Sequence, residues 1–366
     1  MTKQPQLAEK AIGLLKQLIA QPSFSKEEDG TAALLVAFLE GEKIAANRLL
    51  NNVWTANKYF DPAKPTLLLN SHHDTVKPNP GYTRDPFEPS EISGKLFGLG
   101  SNDAGGCLVS LMATFLYFYD FGDLKFNIMM AATAAEEISG KGGIEALLQH
   151  NEFTESLKGS EIFGAIVGEP TLLEMAVAER GLLVLDAVAK GRPGHAARSE
   201  GDNALYKAMK DIDWIRHYEF EKTSELLGPV KMTVTVIETK NRAHNVVPAT
   251  CHFVVDIRIN ERYDFEEVLA IIKEHTQSDF QPRSFRLRSS AIALEHPLVQ
   301  SGLKMKLNYY GSPTTSDKAL MNFPALKIGP GDSARSHSAD EFIYVDEIKK
   351  GIETYIQLLQ GTSELL

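Results

Sequence analysis

The stretch Leu67-Leu68-Leu69-Asn70-Ser71-His72-His73-Asp74-Thr75-Val76 runs an apolar segment into an imidazole and a carboxylate two positions apart. In an extended backbone, side chains at i and i+2 lie on one side, so His72 and Asp74 can serve one site. Alone, such a pair reads as a solvated turn. The design then recurs along the chain. Gly98-Leu99-Gly100-Ser101-Asn102 leads to Asp103, and the apolar run 126–131 leads to Glu136 and Glu137. The run 163–167 leads to Glu169 in Gly168-Glu169-Pro170-Thr171, and the run 325–328 leads through Gly329-Pro330-Gly331 to His337.

Two imidazoles among several carboxylates, with no thiolate, suit zinc or another borderline divalent metal. The set exceeds the needs of one tetrahedral ion with an open position. It fits a pair of ions ~3.5–4 Å apart, one carboxylate bridging and others terminal. One acid should stay off the metal as proton carrier. Blander readings stand beside these: Asp103 sits where a helix N-cap would, and adjacent glutamates are usually a surface pair. Charge after a strand of buried residue types is nevertheless poorly placed to be idle. His195, in Gly191-Arg192-Pro193-Gly194-His195-Ala196-Ala197, is a candidate for oxyanion contact or a turn histidine without function. His73 reads as a packing neighbour. His150, His217, His244, His252, His275 and His296 read as solvated.

The elements that would position these residues follow from periodicity. Helical spacing appears over residues 1–21, 31–40, 107–119 and 144–150, and strand patterns over 52–58, 66–69, 126–131 and 163–167. Alternating helices and strands predict a mixed, mostly parallel sheet with helices on both faces. Ligands of such sheets gather outside the carboxyl ends of the strands, where the noted acids would lie. From about residue 180 the pattern changes. Strands at 182–189, 231–237, 251–259 and 283–289, with helices at 203–218 and 264–275, give the β-α-β-β-α-β order of a ferredoxin-like α+β unit. Helix–strand order then returns, with helices at 297–307 and 346–359. The expected organisation is a discontinuous catalytic domain of residues 1–180 and 290–366, with an inserted domain of residues 181–289.

Bulk properties narrow the class. A chain of 366 residues exceeds one ordinary core at roughly 100–200 residues per domain. A net charge of −10 offers no basic stripe for nucleic acid. The longest nearly apolar run, 107–119, is shorter than the ~18 residues a membrane span needs. The N-terminus lacks the basic–apolar–small pattern of a signal peptide, so a cytoplasmic location is expected. Cys107 and Cys251 each sit in an apolar run and read as buried thiols.

Taken together, these motifs resemble the dinuclear zinc hydrolase family of aminoacylases, acetylornithine deacetylases and succinyl-diaminopimelate desuccinylases, over nearly the whole chain. The resemblance implies two Zn2+ ions, with Co2+ or Mn2+ as substitutes. It makes His72 and His337 terminal ligands of different ions, with Asp103 bridging them. Glu169 would sit with His72, Glu137 with His337, and Glu136 would be the general base. Asp74 would fix the tautomer of His72 from behind. The family's inserted domain mediates homodimerisation, and its histidine, matched by His195, reaches the partner's active site. Arg258 and Asn245 match substrate-carboxylate contacts; a strand-face ion pair with Asp256 and a turn asparagine are their plainer readings. One departure is visible: Asp103-Ala104-Gly105-Gly106 stands where the family has Asp-x-Lys-Gly.

Within that family, Gly168–Thr171 and the segment 329–341 look most like deacylases of N-acetyl- or N-succinyl-L-ornithine or -citrulline, in arginine biosynthesis. The alternatives are a succinyl-diaminopimelate desuccinylase, an aminoacylase or a dipeptidase. A non-catalytic binding protein would have lost a ligand or the base, and none of these positions is lost. The expected partner is a small N-acyl amino acid, with neither nucleic acid nor membrane.

Overall fold

The strand Thr66–His72 is buried along its whole length. Alternation sends Leu67 and Leu69 into one apolar core and Leu68 into another on the opposite face. Its neighbour Asn127–Thr133 divides likewise, with Ile128, Met130 and Ala132 on one side and Met129 and Ala131 on the other. A strand buried on both faces is what a sheet covered by helices on both sides demands. The structure, a computed structural model, describes residues 3–366.

Two compact units emerge: one comprises the residues up to Val177 with Ile292–Tyr310 and Ser316–Leu366, the other Ala178–Ala291 with Gly311–Thr315. In the larger unit, Asn127–Thr133, Thr66–His72, Ile162–Val167 and Ala325–Lys327 form the parallel centre of the sheet. Antiparallel strands flank it, Asn52–Ala56 and Asn47–Leu49 at one edge and Met175–Glu179 at the other. The α/β class with helices on both faces is therefore as expected. Helices Lys3–Ile19, Gly106–Phe118 and Val345–Leu365 cover one face, and the short helices Ile144–Gln149 and Asn151–Ser156 cover the other.

Gly106–Phe118 is buried almost all round, which explains its near-continuous apolar sequence. Its hydroxyls are satisfied within the helix: Ser110 Oγ donates to Gly106 O at 2.7 Å and Thr114 Oγ1 to Ser110 O at 2.8 Å. Cys107 and Cys251 are both free and buried. Among the described residues, no helix is long and apolar enough to cross a membrane.

The smaller unit is a four-stranded antiparallel sheet of Gly181–Lys190, Lys231–Glu238, Thr250–Ile259 and Asp279–Pro282, ordered second, third, first, fourth. Helices Ala204–His217 and Phe265–His275 pack on one face over a core containing Leu183, Leu185, Phe253 and Val255. This is the ferredoxin-like arrangement. The fourth strand lies before the expected 283–289. Phe280 is its buried anchor, opposite Ala187, whereas the alternation of Phe285 and Leu287 belongs to irregular chain.

One buried hydrogen bond locks the last helix onto the sheet of the larger unit: Tyr355 Oη donates to Ile328 O at 2.6 Å. Tyr355→Phe deletes the donor and leaves a buried carbonyl short of it. The expected loss is about 1–3 kcal/mol, read as a lower urea midpoint at unchanged slope. An unmoved midpoint would mean that another donor takes over.

Candidate metal centre

His72 is the last residue of a fully buried strand, so its ring is held in the sheet's mouth rather than on a loop. Its Nδ1 lies 3.0 Å from the Asp74 carbonyl oxygen and 3.4 Å from Asp74 Oδ1, which directs Nε2 into the mouth. There Nε2 meets Asp103 Oδ1 at 3.3 Å, Glu169 Oε1 at 3.8 Å and Glu136 Oε2 at 4.0 Å. Asp103 presents its other oxygen to the second imidazole, with Oδ2 3.7 Å from His337 Nε2. His337 Nε2 also lies 3.0 Å from Glu137 Oε2. The ligand atoms of His72, Asp103 and Glu137 lie within 4.8 Å of one another, as do those of His72, Glu136 and Glu169.

The larger unit thus gathers His72, Asp74, Asp103, Glu136, Glu137, Glu169 and His337. Asp103 does not cap a helix. It lies three residues before Gly106–Phe118, in a π-turn of residues 101–105, and the helix begins without a side-chain cap. Its backbone N–H donates to Glu341 Oε1 at 2.9 Å, leaving the carboxylate free to face both imidazoles. Gly105, where the resemblance expects lysine, is packed for glycine: a Cβ there would lie 2.4 Å from Gly100 O and 2.6 Å from Leu15 Cδ1. Asp74 does more than face His72. Its oxygens accept the N–H groups of Glu136 at 3.0 Å and Glu137 at 3.2 Å, and the Ser25 hydroxyl at 2.7 Å.

In the smaller unit, His195 pairs with Val246 across a two-residue ladder, and Ala196 N donates to Asn245 O at 2.9 Å, so His195 and Asn245 are neighbours. Arg258 makes a two-pronged ion pair with Asp256, at 2.8 and 3.1 Å, the plainer of its two readings. His73 is the expected packing neighbour, buried between the Thr31 hydroxyl and Asn51 O. His296 is not solvated. It caps the helix Pro297–Lys304, stacks on Phe163 and holds Phe163 O at 3.0 Å, and burial pushes its pKa down.

Sequence reasoning gave no role to three further charged groups. Glu341 is buried and accepts from the N–H groups of Gly100, Asn102 and Asp103 at 3.1, 2.8 and 2.9 Å. Asp317 is buried behind the mouth and accepts from Asn70 Nδ2 at 2.9 Å and Thr133 Oγ1 at 2.7 Å. Lys327 is buried near enough to Glu169 for its charge to offset part of the rise that burial imposes on that carboxyl. Only Lys327 left a signal, a lysine inside the apolar run Ala325-Leu326-Lys327-Ile328.

The electrostatics fit a cation. Burial, then the neighbouring acids Glu169, Asp317 and Glu137, push the Glu136 carboxyl well up. Burial, with Asp103 and Glu137, pushes Glu169 up to about 8. The hydrogen bond to Glu137 pushes His337 up to about 9. Burial pulls His72 down, but its hydrogen bonds to Asp103 and Asp74 outweigh this and raise it. Such a cluster holds protons where a divalent ion would otherwise neutralise it, and all its donors are oxygen or imidazole nitrogen, as zinc, cobalt or manganese accept.

A family model described as Peptidase family M20/M25/M40 matches residues 68–361. A succinyl-diaminopimelate desuccinylase of Rickettsia bellii is 27% identical over 383 residues, covering 95% of each chain. A [LysW]-lysine/[LysW]-ornithine hydrolase of Sulfurisphaera tokodaii is 27% identical over 331 residues, covering 87% of this chain and 88% of its own. Among solved structures, a dinuclear metal-binding M20-family peptidase of Bacillus subtilis superposes with a TM-score of 0.73 at 14% identity, covering 99% of this chain and 100% of its own.

The raised carboxyls set a sign for metal and pH. Glu169, near 4.5 when unfolded and about 8 when folded, keeps its proton in the folded state. Its contribution to stability is full below the unfolded value and is lost as pH rises between the two. A divalent ion displaces those protons. Saturating Co2+ should therefore raise the Tm of metal-free protein more at about pH 8 than at about pH 5.5. Equal rises would contradict the site.

Proposed function

This chain belongs to peptidase family M20/M25/M40 and is a hydrolase acting on amides; from that premise we propose that it removes the succinyl group from an N-succinyl diamino acid, N-succinyl-diaminopimelate first. The observation that carries the chemistry is Asp103, whose two oxygens face the two imidazoles, with Glu136 beside them. The choice of substrate rests on relatives. An ornithine or citrulline derivative is the expectation from the segment 329–341; the relatives described above are named for succinyl-diaminopimelate and for LysW-bound lysine or ornithine. The desuccinylase reading takes its place, and lysine rather than arginine biosynthesis becomes the proposed setting.

Two zinc ions are the proposed cofactor. His72, Glu169 and Asp103 would hold one, and His337, Glu137 and Asp103 the other. When bound, such a pair lowers the pKa of a water toward ~7 and polarises a carbonyl. Glu136 takes the proton of the attacking water at its carboxylate and returns it to the leaving amine nitrogen. Asp74 holds His72 by its ring and the turn of Glu136 and Glu137 by its backbone. Arg258 is the proposed anchor for a free carboxylate, sharing its guanidinium with Asp256. The test is kcat/KM of zinc-loaded protein on N-succinyl-diaminopimelate, N-acetyl-ornithine, N-acetyl-citrulline and a dipeptide. The succinyl substrate should lead by roughly ten-fold or more. Fastest turnover of acetyl-ornithine would restore the earlier expectation, and fastest turnover of the dipeptide would sink both.

A homodimer through the smaller unit is also proposed. Its sheet ends in the strand Lys231–Glu238, whose outer edge pairs with no strand among the described residues and whose Val236 and Ile237 are exposed at 47% and 50%. An open, apolar edge is a natural self-pairing surface. His195 would then serve as oxyanion donor in the partner's site. Glu136→Gln should keep its metals and lose ~10²–10⁴-fold in rate. Mixing it with His195→Ala subunits should restore one working site per heterodimer; verified heterodimers without recovery would exclude action in trans.

A further inference from the structure

Glu28 is 1% exposed and sits at the N-cap position of the helix Asp29–Gly41, yet its side chain caps nothing in that helix. It turns inward instead. Oε1 accepts from Lys26 N at 2.7 Å and from Ala135 N at 3.0 Å, and Oε2 accepts from Asn51 Nδ2 at 2.8 Å. Three donors from three separate segments meet one carboxylate.

Ala135 precedes Glu136 and Glu137, and it is held at φ +56°, a conformation non-glycine residues visit rarely. Such a backbone persists only where its surroundings enforce it. Here four successive N–H groups are claimed by side chains: Ala134 by Asn52 Oδ1 at 3.1 Å, Ala135 by Glu28, and Glu136 and Glu137 by Asp74. Asn51 extends the same belt, since its carbonyl holds His73 Nε2 at 2.8 Å, next to His72. We infer that Glu28 is a positioning residue for the turn carrying Glu136 and Glu137, acting through Ala135 N–H and braced by Asn51; this rests on the metal-centre reading proposed above.

The site demands an acceptor-only group, because every partner of Glu28 is a donor. Glu28→Gln keeps the shape but turns an amide NH2 against a donor. Asn51→Asp alone sets two carboxylates together. The pair Glu28→Gln with Asn51→Asp reverses the direction of that one hydrogen bond and conserves net charge. The amide oxygen introduced at position 28 remains to accept from Lys26 N and Ala135 N. The carboxylate introduced at position 51 can still accept from Arg48 Nη2, which in the native chain donates to Asn51 Oδ1 at 2.9 Å.

The experiment titrates metal-free protein with Co2+, followed by its visible absorption, and measures hydrogen exchange of the peptide around Ala135 with Tm as control. Each single variant should weaken one Co2+ equivalent by about 10–100-fold, as loss of a supporting contact does, and should speed exchange at Ala135. The double variant should recover both to within about three-fold. Wild-type Co2+ affinities and exchange in Glu28→Gln would overturn the inference, as would a double variant no better than the singles. Should Glu28→Gln fail to fold, Asn51→Asp, at the hairpin tip, decides by the same readouts. Wild-type protein that bound no Co2+ would end the metal reading, and exchange alone would still decide whether Glu28 holds the turn.

Discussion

Carboxylate crowding around one buried imidazole is the constraint to which the larger unit is built. Asp103, Glu136 and Glu169 approach His72 within 4.0 Å, and Glu137 stands on the far side beside His337. Negative charge at this density calls for compensation. Much of it comes from backbone amides: Asp74 and Glu341 between them collect five N–H groups. Amides bring positive potential without occupying the mouth, as long lysine side chains would. The mouth is thereby kept open for a compact cation.

The sheet makes this arrangement possible. Strands buried on both faces have room for ionisable side chains at their ends, and His72, Glu136 and Glu169 all leave the carboxyl ends of parallel neighbours. Loops then need only short reaches to complete the set. The loop of Asp103 and the segment of His337 are themselves joined by Glu341, and Asn102 Nδ2 donates to Asp332 O at 3.0 Å. The two imidazole environments are set by one fabric of backbone contacts.

Residues whose meaning was carried by local pattern were legible in the sequence. An apolar run of strand length ending in a histidine or an acid singled out His72, Glu136, Glu137 and Glu169 and marked the parallel strands at the centre of the larger sheet, while period-two alternation marked the strand Thr250–Ile259 of the smaller unit. What was missed depends on contacts distant in the chain. Glu28 lies in the charged run Lys26-Glu27-Glu28-Asp29, which carries no apolar pattern to mark it, and its partners Asn51 and Ala135 lie 23 and 107 residues away. Glu341 serves amides 238 to 241 residues earlier. Backbone N–H groups have no residue identity, so no pattern could reveal that a carboxylate was meant for them. The misplaced fourth strand of the smaller unit is a different failure, where Phe285 and Leu287 mimicked alternation that Phe280 provides.

The core of the larger unit is stitched from both termini: Leu14 and Leu15 of the first helix pack in it with Ile352, Tyr355 and Leu359 of the last. A ribosome releases those partners more than three hundred residues apart. The smaller unit, nearly contiguous in sequence, can close while the chain is still being made. The apolar helix Gly106–Phe118 cannot be fully covered until residue 359 emerges, roughly ten to fifty seconds later at ~5–20 residues per second. For that interval the apolar face of this helix lacks the cover that the last helix gives it in the folded protein.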